Sequence, residues 1–297
     1  MSDSEDRIEA EWQFDLDDLA SVESWLVAYP GSSQQRVVRE ASVEHLDTYF
    51  DTTDWRVHRA GYALRLRRRN DAAELTLKSL ASRSATDFAA RRELTEALAP
   101  SDDVTSAHLG GPVRERVRAL RGRMPLIPLF SAITRRHRYG IWTGDLRTGE
   151  LALDYTTFIG ETFDDQSQLL RVEIESTNGE TAALAPFVAE LRAAVALEPA
   201  IASKFAIGLA RNRLTPIGPP SLDRRSFDRD VSIGEIAYTT LWQQLVEVLR
   251  NEPGTRLGDD VEALHDMRVA VRRLRAALSL FKPYLQAEML AQRDHLR

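Results

Sequence analysis

The stretch Leu64-Arg65-Leu66-Arg67-Arg68-Arg69 is followed after a short gap by Glu74-Leu75-Thr76-Leu77-Lys78. Successive side chains of a β-strand point to opposite faces, so the leucines of each run share one face and Arg65, Arg67 and Lys78 lie on the other. The pattern predicts two neighbouring strands, each apolar on one side and largely basic on the other. A polar face exposed to solvent is the ordinary explanation of such alternation.

Other segments alternate in the same way and add carboxylates to the charged faces. Residues 8–14 place Glu9 and Glu11 on one face, residues 133–141 place Arg136 and Arg138 on one face, residues 151–155 carry Asp154, and residues 170–175 place Arg171, Glu173 and Glu175 together. About eight such strands can close into a barrel with charged side chains inside and apolar faces packed outward under helices. The sequence therefore predicts an α+β fold built on a closed eight-stranded antiparallel β-barrel with flanking helices.

Composition limits the classes of protein that fit. A chain of 297 residues with 43% hydrophobic and 28% charged residues is globular and has room for one large domain or two ordinary ones. The formal net charge of -6 argues against a protein that coats nucleic acid, although it permits a local basic pocket. The chain contains no cysteine, which excludes disulfides and thiolate metal sites.

The N-terminal segment, residues 1–11, is acidic and polar and lacks the basic and apolar regions of a signal peptide. No apolar run approaches the roughly 18 residues that a membrane helix requires. The absence of cysteine fits a reducing compartment. We therefore expect a cytoplasmic protein that has no membrane partner and no specific nucleic-acid partner; the sequence does not indicate which proteins it binds.

The charged faces indicate a chemistry. A lumen that presents Arg65, Arg67, Lys78, Arg136 and Arg138 would bind an extended polyanion, because the planar arginine fork suits phosphate oxygens. Carboxylates in the same lumen would repel this ligand unless divalent cations bridged them, and oxygen ligands without cysteine or clustered histidine favour Mg²⁺ or Mn²⁺. This combination is typical of hydrolytic phosphoryl transfer, in which the protein positions groups and neutralises charge.

These residues resemble the motifs of the CYTH domains, the triphosphate tunnel metalloenzymes. Glu9 and Glu11 match the two glutamates of the ExExK signature of this family, and Gln13 stands in place of its lysine. The resemblance continues in the family's motif order through Tyr49-Phe50-Asp51-Thr52, Leu64-Arg65-Leu66-Arg67, Leu75-Thr76-Leu77-Lys78, Arg91-Arg92-Glu93, Asp154, Val172-Glu173-Ile174-Glu175 and Ser203-Lys204-Phe205. Residues 1–213 are therefore identified as a CYTH tunnel domain.

The resemblance implies roles for individual residues. The implied metal ligands are Glu9, Glu11, Asp154, Glu173 and Glu175. The implied phosphate ligands are Arg65, Arg67, Lys78, Arg91, Arg136, Arg138 and Lys204, and the implied catalytic residues are Glu9, Glu11 and Lys204. Thr177, like Gln13, stands where the family often has lysine. If both positions face the ligand, each lost ammonium group weakens binding by about 1.5–3 kcal/mol, the value of a hydrogen bond to a charged group.

A second domain is predicted behind a proline- and glycine-rich linker, residues 214–229. In residues 230–297 the apolar pattern becomes helical and predicts one helix over 233–249 and another from about 259 to 281, separated by Glu252-Pro253-Gly254. The buried stripe predicted for the second helix is Met267, Val271, Leu274, Leu278 and Phe281. A basic stripe formed by His265, Arg268, Arg272, Arg273 and Arg275 is ordinarily a solvated face.

The segment His265-Asp266-Met267-Arg268-Val269, followed by Arg272-Arg273-Leu274-Arg275, resembles the opening motif of the CHAD family. CHAD domains are histidine-containing helical domains that often follow CYTH domains and are associated with polyphosphate. They are considerably longer than residues 230–297, so the resemblance implies a partial, α-helical CHAD domain. It also implies that the basic stripe binds polyphosphate.

The two resemblances together imply hydrolysis of inorganic triphosphate, with Mg²⁺ or Mn²⁺, inside the barrel. The CHAD motif favours inorganic triphosphate or polyphosphate as the partner over thiamine triphosphate or a nucleoside triphosphate. Two other classes stay open at this point. One is a non-catalytic module that binds polyphosphate, and the other is a nucleotidyl cyclase.

Overall fold

The computed structural model describes residues 4–29, 31, 35–70, 72–80, 88–99, 102, 104, 110–159, 168–177, 181–218, 231–258 and 261–286, without the side chains of residues 4–9 and 88–91. The chain forms two compact units. The first comprises residues 1–53, 61–115 and 124–215, and the second comprises residues 54–60, 116–123 and 216–297.

The alternating segments form the strands of one antiparallel sheet in the first unit. Within the described residues the strands are β1 (Ser4–Leu16), β2 (Gln35–Arg39), β3 (Val43–Asp51), β4 (Tyr62–Arg69), β5 (Ala72–Ser79), β6 (Phe88–Leu98), β7 (Ile127–Thr143), β8 (Leu146–Ile159), β9 (Leu169–Ser176) and the two-residue β10 (Glu198–Pro199). The β2 strand was not predicted. It is only five residues long, and its sequence lacks the alternation of charged and apolar residues that marks the other strands.

The hydrogen-bonded order of the strands is β10-β1-β6-β5-β4-β3-β7-β8-β9, and β2 pairs with β7. The first strand has two long-range neighbours, since residues 4–12 pair with β6 and residues 11–16 pair with β9. The α+β class and the large antiparallel sheet are confirmed. The pairings describe one ten-stranded sheet over the described residues, and closure of eight strands into a barrel stays a prediction.

Two helices cover part of the apolar face of the sheet. They are α1 (Ala20–Ala28) and α4 (Ala185–Ala194), which follows a 3₁₀ turn at Thr181–Ala183. Val22 and Leu26 of α1 and Phe187 and Leu191 of α4 pack against the buried side chains of the strands. Those strand residues are Phe14, Tyr139, Ile141, Leu151, Leu153, Val172 and Ile174. Because these side chains are buried under the helices, the charged side chains of the same strands lie on the opposite face of the sheet.

A third helix, α5 (Lys204–Arg211), packs closely on the aromatic side chains of β3 and β7. The Phe205 ring lies 5.4 Å from the Tyr49 ring and 6.1 Å from the Phe130 ring, measured between centroids. Gly208 permits this approach, because a Cβ atom there would lie 2.1 Å from an atom of the Phe130 ring. The contact fixes the position of Lys204 at the start of the helix.

The second unit contains α2 (Arg56–Arg59), the long helices α6 (Ile233–Leu257) and α7 (Val261–Leu280), and a 3₁₀ turn at Lys282–Tyr284; α3 (Pro112–Arg121) contributes its C-terminal part. Ser232 and Glu235 form a capping box at the start of α6. The core between α6 and α7 is formed by Ala237, Leu241, Leu274, Ala277, Leu278 and Phe281. Of the predicted stripe on α7, Leu274, Leu278 and Phe281 are buried, whereas Met267 and Val271 are only half-buried.

Among the described residues, no helix has both the length and the apolar composition needed to cross a membrane.

The predicted helix break at Glu252-Pro253-Gly254 is wrong. The α6 helix continues through Pro253 and ends at Gly258, whose φ of 74° is left-handed. Proline has no N–H group, so Pro253 removes the intrahelical donor to the carbonyl of Leu249. Arg59 Nη2 donates to this carbonyl at 3.4 Å and replaces the missing donor. Glycine then terminates the helix because it adopts the left-handed conformation without a Cβ clash.

Candidate active site

The charged faces of the strands meet in one cavity of about 200 Å³ in the first unit. The predicted residues that line it are Glu11, Arg65, Arg67, Lys78, Arg136, Glu173, Glu175 and Lys204. Other charged residues in its wall are Glu74, Glu93 and Arg171. Six cationic and five carboxylate side chains among the described residues therefore surround the same space, and their formal charges nearly cancel.

Arg65 and Arg67 project into the cavity from β4, as the alternation of that strand predicts. Arg67 is held by Asp47 of β3 through two hydrogen bonds, Nε to Oδ1 at 2.7 Å and Nη2 to Oδ2 at 2.8 Å. Burial raises the pKa of Asp47, but Arg67 and Arg65 outweigh this effect and hold the pKa below its ordinary value. Asp47 therefore stays ionised and fixes the Arg67 guanidinium.

Arg65 is less completely paired than Arg67. Its Nη2 donates to Thr76 Oγ1 at 3.3 Å and lies 3.6 Å from the Glu93 carboxylate. The Nε atom is buried and has no hydrogen-bond partner. Burial lowers the pKa of Arg65, but the carboxylates of Asp47 and Glu93 raise it above its ordinary value. This arginine thus stays charged and keeps one buried donor for a ligand.

Lys78 of β5 stands between two carboxylates. Its Nζ lies 3.6 Å from Glu11 Oε1 and 3.5 Å from Glu93 Oε2. Glu11 is only 3% exposed, and its Oε1 accepts no hydrogen bond. In the pairing of β1 with β9, Glu11 lies directly opposite Glu175. A buried carboxylate oxygen without a donor is therefore available beside a second carboxylate.

Arg136 and Lys204 share two carboxylates on the β7–β9 side of the cavity. Arg136 donates to Asp154 from Nε at 2.7 Å and from Nη2 at 2.6 Å, and it also donates to Glu173. Lys204 Nζ donates to Glu173 Oε1 at 2.8 Å and to Asp154. Burial opposes ionisation of both carboxyl groups, yet Arg136 and Lys204 lower the pKa of Asp154, and Lys204 and Arg136 lower that of Glu173 further. The result is a compact network of two cations and two anions.

The start of α5 is held by contacts that position Lys204. Ser203 caps the helix, and its Oγ accepts from the N–H of Ala206 at 3.1 Å. The carbonyl of Ala202 accepts from Arg171 Nη2 at 2.8 Å. The N–H of Ala200 donates to the carbonyl of Gln13 at 2.9 Å. The chain that leads into α5 is thus tied to both β1 and β9.

Gln13, at the position of the family lysine, lies inside the wall of the cavity. Its Nε2 donates to Glu173 Oε1 at 3.4 Å, and its Oε1 accepts from Arg171 Nη1 at 3.4 Å. Arg171 is fully buried and also donates to both oxygens of Asp15, at 2.6 and 3.0 Å. A guanidinium group therefore stands next to the position that lacks the lysine. Thr177, in contrast, is exposed at the end of β9 and does not line the cavity.

Two predicted ligands occupy other places. Asp154 is fully buried behind the wall, where its oxygens accept hydrogen bonds from Arg136 and Lys204. Arg138 lies beyond the described lining; it donates to Glu150 at 3.0 and 2.6 Å and is 3.3 Å from Glu40. Alternation specifies the face of a strand but not the depth of a side chain. The roles expected for Asp154 as a metal ligand and for Arg138 as a phosphate ligand therefore stay predictions.

Other predicted residues remain outside these contacts. The side chains of Glu9 and Arg91 lie outside the described residues, although their backbones pair directly between β1 and β6. All five residues of the basic stripe on α7 are exposed, and none of them forms an ion pair within the part of the chain that the structure describes. The five are His265, Arg268, Arg272, Arg273 and Arg275.

Sequence reasoning did not select several residues of the site. Glu93 and Arg171 line the cavity, and Asp47 holds Arg67. Glu93 alternates with Arg91, and Arg171 shares its strand face with Glu173, so the same period of two contained a signal for both. The role of Asp47 had no local signal, because its pairing with Arg67 depends on the register of β3 against β4.

The carboxylates suit a hard divalent cation. Within the described ranges, no three aspartate, glutamate or histidine side chains are close enough to hold a metal ion by themselves. Mg²⁺ in phosphate-transfer sites is usually bound by one or two carboxylates and completed by substrate phosphates and water. Glu11, with its unpaired buried oxygen, and Glu175 opposite it provide such a pair. These residues therefore fit a metal ion that binds together with a phosphate ligand.

Comparison with protein-family models identifies the chain. The CYTH domain model matches residues 26–206, more than half of the chain, so the protein belongs to the CYTH family. The CHAD domain model matches residues 239–297. The predicted architecture of a CYTH domain followed by a CHAD domain is therefore confirmed. Among curated proteins, none matches this chain significantly.

Similar solved structures have low sequence identity to the chain. A candidate adenylyl cyclase from Hippeastrum, described as having a dominant triphosphatase activity, is 20% identical, with 68% of this chain and 95% of that chain covered and a TM-score of 0.49. A candidate adenylate cyclase from Bacillus halodurans is also 20% identical, with 68% and 97% covered and a TM-score of 0.48. At TM-scores below 0.5 these similarities carry no argument about activity.

Proposed function

We propose that the protein hydrolyses a phosphoanhydride bond of inorganic triphosphate with the help of a divalent cation. The observation that carries the proposal is that two residues lining the same cavity each have a buried side-chain atom without a hydrogen-bond partner. Arg65 Nε is a buried donor without an acceptor, and Glu11 Oε1 is a buried acceptor without a donor. Buried polar groups are nearly always paired, so an anion at Arg65 and a cation at Glu11 are the expected occupants.

The charge balance of the cavity supports a metal ion. Six cationic and five carboxylate residues line the described wall, so the protein alone offers little net positive charge to a triphosphate. Asp47 and Asp154 behind the wall reduce it further by pairing with Arg67, Arg136 and Lys204. A divalent cation at the carboxylates reverses this balance and lets the same cavity accept a polyanion.

We assign the metal to Glu11 and Glu175, with Glu9 as the third carboxylate of this group. A metal ion bound there would polarise a phosphoryl oxygen and lower the pKa of bound water. Asp154 is assigned a different role from the predicted one, as the anchor that orients Arg136 and Lys204. Glu173 accepts hydrogen bonds from the same two cations, so less of its negative charge is available to a metal ion.

The cations of the wall then perform the positioning that phosphoryl transfer requires. Arg65 and Lys78 line the cavity from β4 and β5, and Arg136 and Lys204 line it from β7 and α5. Held from several sides, a triphosphate is kept in line with the attacking water, and the charge that develops on the leaving diphosphate is neutralised. Arg67, fixed by Asp47, contributes a guanidinium that needs no reorientation when the substrate binds.

The wider proposal includes a tunnel and an inorganic substrate. Pairing of β1 with both β6 and β9 supports enclosure of the cavity by the eight strands β1 and β3–β9. The CHAD match and the exposed basic stripe on α7 support inorganic triphosphate or polyphosphate as the ligand, with the stripe as a second contact for a polyphosphate chain. Residues 214–229 are proposed as the linker between the two domains.

The test is phosphate release from inorganic triphosphate by the full chain with Mg²⁺, with Mn²⁺ or with EDTA. We expect metal-dependent release that EDTA abolishes. Glu11→Gln keeps the size of the side chain and removes its charge, so it is expected to lower both activity and Mn²⁺ affinity by at least about 10-fold, as loss of groups around metal sites commonly does. Calorimetric titration measures the affinity independently of activity.

Glu44→Gln is the matched control, because Glu44 lies on β3 with its side chain 62% exposed and outside the cavity. It should retain both activity and Mn²⁺ affinity. Tight binding of triphosphate without metal-dependent release would instead support a non-catalytic binding module. Preferential release of cyclic nucleotide and diphosphate from ATP would contradict the proposal in favour of a cyclase.

A further inference from the structure

Arg69 is a charged residue of the opening basic strand to which the proposed reaction assigns no role. It follows Arg65 and Arg67 at the period of two, so its side chain lies on their face of β4. It is half-buried, whereas the neighbouring Arg68 on the other face is exposed. A step of two residues places Arg69 about 7 Å farther along the strand than Arg67. The line of inward arginines therefore continues past the cavity wall.

The surroundings of Arg69 are predominantly positive. Burial and then Arg67 lower the pKa of Arg69 most, Glu74 opposes them, and Arg138 and Arg136 lower it further by smaller amounts. Such an arrangement of like charges is unfavourable in a folded protein unless an anion compensates it. Three guanidinium groups and one carboxylate therefore act on Arg69.

Arg69 differs from these neighbours because it has no carboxylate of its own. Asp47 holds Arg67, Asp154 holds Arg136, and Glu150 holds Arg138, each through two hydrogen bonds. In the described parts of the chain, Arg69 takes part in no ion pair, and its buried Nε has no hydrogen-bond acceptor. A ligand with acceptor oxygens would supply the missing partner.

We propose that Arg69 forms an additional anion subsite, which binds a phosphate group beyond the third in a linear polyphosphate. This inference rests on the proposed function, because it takes the triphosphate to occupy the cavity lined by Arg65 and Arg67. Arg138, which is partly neutralised by Glu150, also acts on Arg69. A second guanidinium group near Arg69 favours a ligand that carries several negative oxygens. The subsite makes chains of four or more phosphates better ligands than triphosphate.

The experiment compares inorganic triphosphate with inorganic tetraphosphate in calorimetric titrations of the full chain, with Ca²⁺ in place of Mg²⁺ so that the proposed reaction does not consume the ligand. The wild-type protein is expected to bind tetraphosphate about 10-fold more tightly than triphosphate, the effect of one additional charged hydrogen-bonding contact. Arg69→Gln should remove this preference and leave triphosphate affinity within about twofold of wild type, since Arg69 does not line the cavity. Arg69→Lys keeps the charge and should restore part of the preference.

Arg68→Gln is the matched control on the same strand. Arg68 is exposed on the opposite face, so this variant should keep the wild-type preference for tetraphosphate. Equal affinities of the wild-type protein for the two chain lengths would overturn the subsite. So would an equal loss of affinity for both ligands in Arg69→Gln, which would make Arg69 a part of the triphosphate site.

Binding and turnover distinguish this proposal from the proposed function. A protein that binds both ligands without releasing phosphate contradicts the hydrolase, and the subsite is then decided by the ratio of the two affinities alone. ATP provides a further comparison, because it has three phosphates followed by a nucleoside. A loss of ATP affinity in Arg69→Gln with unchanged tetraphosphate affinity would assign Arg69 to a nucleoside triphosphate and overturn the polyphosphate subsite.

Discussion

Asp154 is the residue at which the proposed function differs most from the role expected from the sequence. It is fully buried, and its two oxygens accept from Arg136 and Lys204, which both line the cavity. Each cation has a flexible side chain that would otherwise lose considerable conformational entropy on binding a phosphate. The hydrogen bonds to Asp154 restrict both side chains in the free protein. In the proposed function Asp154 therefore acts on the ligand through these two partners.

Replacement of Asp154 tests this role. Asp154→Asn removes the charge and leaves two buried cations to share Glu173, so the free energy of unfolding should fall by about 3 kcal/mol, the loss typical of a broken buried pair. Urea unfolding at neutral pH measures the change. Mn²⁺ affinity in the absence of phosphate should stay close to the wild-type value, because Glu11 and Glu175 are unchanged.

The control for this substitution is Asp145→Asn in the exposed turn between β7 and β8, which should not change the unfolding free energy appreciably. If Asp154→Asn abolished Mn²⁺ binding while its stability matched that of the wild-type protein, Asp154 would be a metal ligand after all. The two readouts therefore separate an anchor of cations from a ligand of the metal.

At the scale of single elements, the position of α5 decides where Lys204 lies. Gly208 brings the helix into contact with the Phe130 ring, and a Cβ at this position would overlap the ring at 2.1 Å. Gly208→Ala is therefore expected to displace α5, to destabilise the fold by about 1–3 kcal/mol as overpacking does, and to lower triphosphate affinity by moving Lys204. Unfolding and calorimetric titration report the two effects.

Gly208→Ala combined with Phe130→Leu should recover part of both losses, because the smaller side chain makes room for the new methyl group. Gly234→Ala in α6 is the control, since a Cβ there would meet its nearest atom only at 3.9 Å. That substitution should leave triphosphate affinity unchanged. An undisturbed affinity in Gly208→Ala would show that α5 does not set the position of Lys204.

The α6 helix offers a second test, because Arg59 donates to the carbonyl that Pro253 leaves without its intrahelical partner. Arg59→Ala should lower the unfolding free energy by about 1 kcal/mol, the net value of a hydrogen bond. The same change should cost less in a Pro253→Ala background, where the restored N–H can bond to Leu249. Urea unfolding followed by far-ultraviolet circular dichroism supplies the four values of the cycle.

Additive effects of the two substitutions would indicate that Arg59 stabilises the unit through its 3.8 Å contact with Glu252 and not through the carbonyl of Leu249. Arg250→Ala is the control, because Arg250 is exposed and forms only a surface pair with Glu247. It should show the same small effect with Pro253 or Ala at position 253.

The same contact explains why the predicted helix break is wrong. No pattern in residues 233–257 reveals a donor that lies about 190 residues earlier in the chain, and local sequence reading cannot cover that separation.

For the molecule as a whole, the sequence predicted side-chain faces better than it predicted pairings. The period of two placed Arg65, Arg67 and Lys78 on the faces that line the cavity, because that period depends only on adjacent residues. The partners of these groups come from strands distant in the chain, and a register shift by one residue would exchange the faces. The contact between Arg171 and Asp15, for example, spans β9 and β1 and needs the complete sheet.

The assembled sheet also encloses a histidine whose ionisation is linked to folding. The His45 side chain is fully buried on β3, and burial together with Arg67 lowers its pKa from 6.5 to about 3. The other charged groups that act on it are Asp47 on the same strand, Arg136 on β7 and Lys204 on α5. Of these, only Asp47 favours the protonated form. The folded protein therefore keeps His45 neutral in mildly acidic solution.

The direction of the pH effect follows from proton binding. Between pH 6.5 and about 3 the unfolded chain binds a proton at His45 that the folded chain does not bind, so the unfolding free energy falls as the pH is lowered through this range. The slope approaches about 1.4 kcal/mol per pH unit once the unfolded histidine is mostly protonated. Asp154 and Glu173 have pKa values lowered from 3.8 and 4.5, so their stabilising contributions are complete above about pH 4.5 and are lost progressively below it.

Unfolding by urea at pH 7, 6 and 5 should therefore isolate His45, because this range lies above the ordinary pKa of the carboxyl groups. His45→Phe is expected to flatten the pH dependence in this range, and His45→Gln should do the same if the larger ring does not fit. His265→Gln is the control, since His265 is exposed on α7, and it should keep the wild-type slope. Equal slopes in the wild-type protein and both His45 variants would mean that His45 takes up its proton in the folded state, which the surrounding Arg67, Arg136 and Lys204 should prevent.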